Sequence, residues 1–133
     1  MDSLVPPGRA QALLGILRIL VALLFLQHGT AKLFGFPHVA MFDGLKLVSL
    51  LGAAGAIEIL GGLLLLLGLF TRPTAIVLAV EMVAAYVVGH AGRGALPIHN
   101  GGELALVYGA VFLFFALAGP GRFALDRPLH NGA

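Results

Sequence analysis

The stretch from Leu47 to Phe70, LVSLLGAAGAIEILGGLLLLLGLF, decides the fold, and Glu58 is its only charged residue. About 20 predominantly apolar residues are enough for an α-helix to cross the ~30 Å hydrocarbon core of a bilayer. A soluble helix of this length would need a polar face, and this stretch has none. The sequence therefore predicts a membrane-spanning helix over about 47–70.

Three further stretches have the same apolar character, at about 12–34, 74–90 and 102–118. Glycine and proline separate the stretches, because both residue types end helices or begin new ones. These separators are Gly35-Phe36-Pro37, Thr71-Arg72-Pro73, Ala91 to Gly101, and Gly119-Pro120-Gly121. We therefore predict that residues 1–133 form a single all-α domain, an integral membrane four-helix bundle.

The composition supports this class. Of the 133 residues, 59% are hydrophobic and 11% are charged, and the mean hydropathy is +1.02. A soluble domain is about 45–50% apolar and about 25% charged, and a small one leaves much of its surface in water. The absence of cysteine excludes disulfides, thiolate zinc sites and cysteine-bound iron–sulfur clusters. A net charge of +2 from scattered basic residues excludes a nucleic-acid partner.

The basic residues predict the orientation in the membrane. Loops on the cytoplasmic side carry an excess of lysine and arginine. With four spans, both ends of the chain lie on one side, which would hold Arg9, Arg72, Arg122 and Arg127. The other side would hold Lys46 and Arg93, with Lys32 at its border. We predict a multi-pass membrane protein with both termini in the cytoplasm.

Charged residues inside the spans are candidates for function, because they are costly in a bilayer. At a rise of about 1.5 Å per residue, Arg18 and Glu81 both lie roughly 10 Å from the cytoplasmic end, which predicts a structural ion pair. Lys32 and Glu103 lie near the opposite end and are predicted to pair there. Glu58 falls near the middle, at about 18 Å, without a predicted partner.

Helical periodicity assigns glycines to the same faces as these charges. On the first span Gly29 shares a face with Lys32, and on the second Gly55 and Gly62 share a face with Glu58. Small residues allow close approach of helices in membranes. We predict that these three glycines pack helix against helix.

A metal site is a weaker interpretation. His28, His90 and Glu103 fall at a similar depth, as the ligands of a two-histidine, one-carboxylate site would. However, His90 and Glu81 lie about 180° apart on the third helix, so both cannot face one central site unless that helix bends or His90 already lies in the loop. We predict no bound metal, and the sequence has no haem, iron–sulfur or nucleotide motif.

Several motifs together resemble the DoxX family of small bacterial membrane proteins. The first helix carries Arg18 to Phe25, His28-Gly29 and Lys32, and the second follows E-x-x-G-G…G-x-x-T-R from Glu58 to Arg72. The remaining motifs are Asn100-Gly101-Gly102-Glu103 with Tyr108, Gly119-Pro120-Gly121, and Leu125-Asp126. Ala124 departs from the serine that is common in the family. The resemblance covers about 14–127 and implies a four-helix membrane bundle in the bacterial inner membrane.

The resemblance also implies a link to membrane redox complexes, quinone-dependent oxidation or protection against oxidative stress. We predict a quinone-interacting subunit of a membrane oxidoreductase, at most an accessory part of an enzyme. Glu58, Glu103 and His28 are the candidate acid–base residues, since carboxylates and histidine suit proton transfer. His28, Lys32, Glu103 and Tyr108 are the candidate quinone-binding residues. Because the chain carries no electron donor of its own, a soluble or membrane redox protein would have to supply electrons.

Two other classes of function remain open. The protein could be a non-enzymatic membrane scaffold or assembly factor, in which the charged interior only fixes the shape of the bundle. It could also be a carrier of small solutes or ions that uses Glu58 and Glu103 as binding carboxylates. Four helices leave little room for alternating access, so a carrier would require a homo-oligomer.

Overall fold

The computed structural model describes residues 6–126, and these residues form helices and no strand. This confirms the all-α membrane bundle; Arg127, which enters the orientation argument, lies outside the described residues. The helices are α1 (Pro7–Phe34), α2 (Leu50–Leu67), α3 (Thr71–Gly89), α4 (Pro97–Asn100) and α5 (Glu103–Ala118). Short 3₁₀ turns, Ala40–Phe42 and Ala91–Arg93, lie in the connections.

The long helices match the predicted spans. Within residues 6–126, three helices are long and apolar enough to cross a membrane, and α5 is a shorter apolar helix of 16 residues. The main difference is that α1 begins at Pro7 rather than near residue 12. Proline is well suited to the first helical turn, because its fixed φ is already helical and its missing N–H is not needed there. At 28 residues α1 is about 42 Å long, so it extends beyond a ~30 Å hydrocarbon core.

Local signals account for where the helices end. The Ser49 hydroxyl accepts a hydrogen bond of 3.1 Å from the Gly52 amide and so caps the N-terminus of α2. Gly35 and Gly68 end α1 and α2 in the left-handed conformation, with φ of 69° and 66°. Only glycine adopts this conformation without a steric cost, so its position fixes the helix end.

The described residues divide into two compact units. The first comprises 6–71 and 120–126, and in it α1 packs against α2. Its buried apolar side chains include Ala22, Phe25 and Leu65. The second comprises 72–119 and contains most of α3 together with α4 and α5.

The second unit has its own buried aromatic and aliphatic side chains. Leu78 of α3 and Phe112 and Phe115 of α5 are fully buried. Val80 and Leu117 are instead 65% and 72% exposed, and many apolar residues of the spans are exposed in the same way. In a bilayer such faces contact lipid chains rather than water, so their exposure is what a membrane protein requires.

Candidate functional site

A salt bridge inside the first unit joins Lys32 of α1 to Glu58 of α2. The Lys32 Nζ lies 2.5 Å from Oε1 and 2.8 Å from Oε2 of Glu58, so the ammonium bonds both carboxylate oxygens. The two side chains are 11% and 2% exposed. Ionisable groups at membrane depth usually face the protein interior and pair with one another, and this pair does both.

Close helix contact places the two charges at one level. Gly29 lies against α2 so tightly that a Cβ there would lie 2.9 Å from the Ile59 nitrogen and 3.0 Å from the Gly55 oxygen. A Cβ at Gly55 would lie 3.0 Å from the Lys32 Cβ. The glycines thus bring the backbones together next to the salt bridge.

The salt bridge corrects two predictions about partners. Glu58 was expected to lie without one, and Lys32 was expected to pair with Glu103. The depths predicted from the sequence were counted from residue 12 on α1 and from residue 70 on α2, as if these two residues lay at the same level. The glycine contacts show instead that α1 is displaced along α2 by about five residues, roughly 7 Å. A lysine side chain is also long enough to reach a carboxylate about one turn away. Both effects bring Lys32 to Glu58.

Aromatic and imidazole rings lie next to this pair. The Lys32 Nζ lies 5.3 Å from the ring centroid of Phe42, in the 3₁₀ turn that follows α1, within the range of a cation–π contact. His28 precedes Lys32 by one helical turn and is half-buried. It lies close enough to Lys32 and Glu58 to interact electrostatically with both. Its ring centroid is 6.3 Å from that of Phe25. We call Lys32, Glu58 and His28 the charged cluster.

The charged cluster combines three kinds of group in a site with little water. An ammonium donates hydrogen bonds, a carboxylate accepts them, and an imidazole can do either. Electrostatic interactions are stronger there than in water because the local dielectric constant is lower. Such a set can bind a polar carbonyl headgroup and exchange protons with it.

Arg18 is buried in the same unit and binds backbone carbonyls. Its Nε donates to the Leu65 oxygen at 2.9 Å, and its Nη2 donates to the Phe123 oxygen at 2.7 Å. Its Nη1 donates to the oxygens of Pro120 and Arg122. The guanidinium therefore ties the segment after α5 to α1 and α2. The predicted ion pair of Arg18 with Glu81 stays a prediction.

A buried asparagine organises the turn between α3 and α5. The Asn100 amide nitrogen donates to the Tyr86 hydroxyl at 2.9 Å and to the Gly94 oxygen at 3.2 Å. Its side-chain oxygen accepts from the Gly102 amide at 2.8 Å, and its backbone oxygen lies 3.1 Å from the His90 Nδ1. Sequence reasoning missed this structural role, although a lone Asn between a proline and a Gly-Gly pair was a signal for it.

Glu103 and Tyr108, both predicted to bind a quinone, belong to the second unit. Tyr108 is buried and its ring stacks on Phe112, with centroids 5.8 Å apart. Glu103 is exposed at the first residue of α5, on the face that also exposes Val107 and Phe114. It borders an open groove of about 380 Å³, whose other lining residues are Pro97, Ile98, Gly101, Leu104 and Val107.

The metal interpretation gains no support from the geometry. Within residues 6–126, no three histidine, aspartate or glutamate side chains come together as ligands for an ion. The alternative ligand set of His28, His90 and Glu103 stays a prediction.

Comparison with known proteins gives one family and several relatives. The DoxX family model matches residues 13–91. An uncharacterized protein of Haemophilus influenzae is 52% identical over 119 residues, covering 86% of this chain and 88% of its own. The inner membrane protein YphA of Escherichia coli is 34% identical over 131 residues, covering 86% of this chain and 89% of its own.

A third relative is more distant in sequence. It is an uncharacterized membrane protein of Mycobacterium tuberculosis, 32% identical over 142 residues, which cover 88% of this chain and 81% of the relative. No solved structure matches the chain.

Proposed function

Because this chain belongs to the DoxX family of membrane proteins, we propose that its charged cluster binds a membrane quinone in the inner membrane. In this proposal the protein is an accessory subunit of an oxidoreductase and receives electrons from a redox protein partner. The observation that carries the proposal is the buried Lys32–Glu58 pair beside His28.

The chemistry of a quinone fits the groups of the charged cluster. A quinone headgroup is apolar apart from its two carbonyl oxygens, each of which accepts hydrogen bonds. The Lys32 ammonium can donate to one such oxygen while it keeps its bond to Glu58, since an ammonium has three donors. His28 is placed one turn away on the same helix face and can donate to a second acceptor.

Reduction of the bound quinone requires two electrons and two protons. The partner protein supplies the electrons, since the sequence has no cysteine and no nucleotide motif. His28 and the Lys32–Glu58 pair supply the protons to the two oxygens, which become the hydroxyls of a quinol. Water at the outer side of the membrane, near which the predicted orientation places Lys32, then returns protons to the cluster.

The names of two relatives support a location in the inner membrane. YphA is named as an inner membrane protein, and the M. tuberculosis relative is named as a membrane protein. An inner-membrane location places the charged cluster in the bilayer that holds the bacterial quinone pool.

The test is mass spectrometry of an organic extract of the protein purified gently with its native lipids. We expect about one quinone per chain, and we expect Lys32→Met and Glu58→Gln to lose it. Lys46→Met is the matched control, because Lys46 is an exposed lysine in the connection between α1 and α2. Equal quinone content in all three variants and the native chain would refute the site.

Two further variants test the predicted contribution of the second unit. Glu103→Gln and Tyr108→Phe remove an exposed carboxylate and a buried hydroxyl. Loss of quinone in either variant would add that residue to the site, and retention in both would confine the site to the charged cluster. An extract of the native chain with only bulk phospholipid would overturn the quinone proposal and favour the scaffold function.

A further inference from the structure

The segment at 120–126 is not helical, yet it packs against the N-terminal end of α1 and the C-terminal end of α2. The amides of Leu125 and Asp126 donate to the oxygens of Leu67 and Gly68, at 3.0 and 2.8 Å. The Asp126 carboxylate in turn accepts a hydrogen bond of 2.7 Å from the Phe70 amide. The segment is thus bound to the end of α2 by its backbone and by a side chain.

Contacts with α1 place this segment at the edge of the membrane. The Arg122 amide donates to the Gln11 oxygen at 3.0 Å, and Gly15 packs directly against the Arg122 backbone. The first apolar span begins near residue 12, so these contacts lie within about 6 Å of its start. The polar headgroup layer on each side of a bilayer is about 5–7 Å thick. The segment therefore lies where headgroups meet hydrocarbon.

The backbone of the segment is hydrogen-bonded as this depth requires. Non-helical backbone in a membrane must have its carbonyls and amides satisfied by protein, because lipid chains offer no partners. The buried Arg18 supplies that need from within α1, donating to the oxygens of Pro120, Arg122 and Phe123. A chain segment in open water would have no need of such a donor.

The side chains of the segment point outward and are mostly apolar. Phe123 and Leu125 are 63% and 62% exposed, and Phe70 at the end of α2 is 63% exposed. Phe70 and Phe123 have φ of 51° and 60°, a left-handed conformation that is strained for a bulky residue. The hydrogen bonds above hold this strained backbone in place, as strained backbone needs. Arg122 is exposed beside them and can reach lipid phosphates.

From these observations we propose that 120–126 is an interfacial lipid-binding segment. Phe123 and Leu125 insert among the acyl chains just below the headgroups, and Arg122 contacts the phosphates. Arg18 holds the segment at this depth. The proposal is independent of quinone binding.

Tryptophan fluorescence tests the proposal directly, because the native chain contains no tryptophan. The variant Phe123→Trp, reconstituted in vesicles of phosphatidylcholine and phosphatidylglycerol, reports only on this position. Lipids brominated near the headgroup or near the chain end serve as depth-dependent quenchers, and acrylamide serves as the aqueous quencher. Leu23→Trp is the deep reference, on an exposed face of α1 about 16 Å from the start of the span.

We expect Phe123→Trp to emit at shorter wavelength than N-acetyltryptophanamide in buffer and to be quenched best by the shallow bromines. Leu23→Trp should be quenched best by the deep bromines. Emission at the wavelength of the free compound with strong acrylamide quenching would overturn the proposal. Best quenching of Phe123→Trp by deep bromines, or quenching by none of these agents, would also overturn it. Leu125→Trp repeats the test if Phe123→Trp does not fold.

Discussion

The Lys32–Glu58 pair shows how a single contact at the residue scale can be costly and yet be retained. Taking both charges out of water costs several kcal/mol for each ion, which their attraction offsets only when the geometry is good. Here the ammonium bonds both carboxylate oxygens. A fully apolar pair of similar volume is often as stable as a buried salt bridge, so stability alone does not explain the charges. The quinone binding that we propose for the pair would give a reason for them.

Removing both partners of the pair should cost less stability than the two single removals added together. Lys32→Met or Glu58→Gln alone leaves an uncompensated buried charge, so each should lower the free energy of unfolding by about 3–5 kcal/mol. The double variant should lose less free energy of unfolding than the two single variants lose together. Denaturant unfolding of the four proteins in one detergent measures the coupling. Additive losses would show that the two residues are not coupled.

Arg18 makes a second prediction at the residue scale. Arg18→Lys keeps the charge but replaces a planar fork of donors by a single nitrogen, which cannot reach all four carbonyls. Each lost hydrogen bond to the charged group should cost about 1.5–3 kcal/mol. Freed from Arg18, the segment should be cut by trypsin after Arg122 faster than in the native chain. Arg9→Lys, at an exposed position of the same helix, is the control and should leave the cleavage rate unchanged.

At the scale of the elements, the sequence predicted the helices well and their alignment poorly. Gly35 sets the C-terminal end of α1, and Ser49 and Gly68 set the two ends of α2. These effects are local, so they can be recognised in the sequence. The alignment of α1 along α2 depends on which glycine meets which backbone, and an all-apolar pattern leaves that choice open. Setting Gly29 level with Ile59, as the structure does, brings Lys32 within about two residues of the level of Glu58.

The same limit explains the outcome for α5. Periodicity places Glu103 on one face with Val107 and Phe114, but it does not say whether lipid or protein covers that face. The structure exposes those residues and buries Tyr108 and Phe112. In a membrane both faces of a helix are apolar, so hydrophobicity cannot distinguish them as it does in water.

The contact between α1 and α2 should tolerate no added methyl group at its closest point. Gly29→Ala would place its Cβ within about 3 Å of the α2 backbone on two sides, and overpacking of this kind costs about 1–3 kcal/mol. Gly92→Ala is the matched control, because a Cβ there would meet nothing within 4 Å. Thermal unfolding in detergent compares the two. Equal melting temperatures would mean that the helices separate more easily than the structure indicates.

At the scale of the whole molecule, the distribution of basic residues makes a prediction about sidedness. With four spans, both termini and the connection around Arg72 lie on one side, which the positive-inside tendency assigns to the cytoplasm. The connections that contain Val48 and Gly92 then face outward. The native chain has no cysteine, so each introduced cysteine is unique and reports on one position only.

Labelling of single cysteines with a membrane-impermeant maleimide checks this orientation in intact spheroplasts. Val48→Cys and Gly92→Cys should be labelled, since both positions are exposed. Gly8→Cys should be labelled only after the membrane is permeabilised. The reverse pattern would place the termini outside, and the basic residues near them would then face the wrong side for the positive-inside tendency. Labelling of Val48→Cys and Gly8→Cys from the same side would contradict α1 as a span, because a spanning helix must separate them.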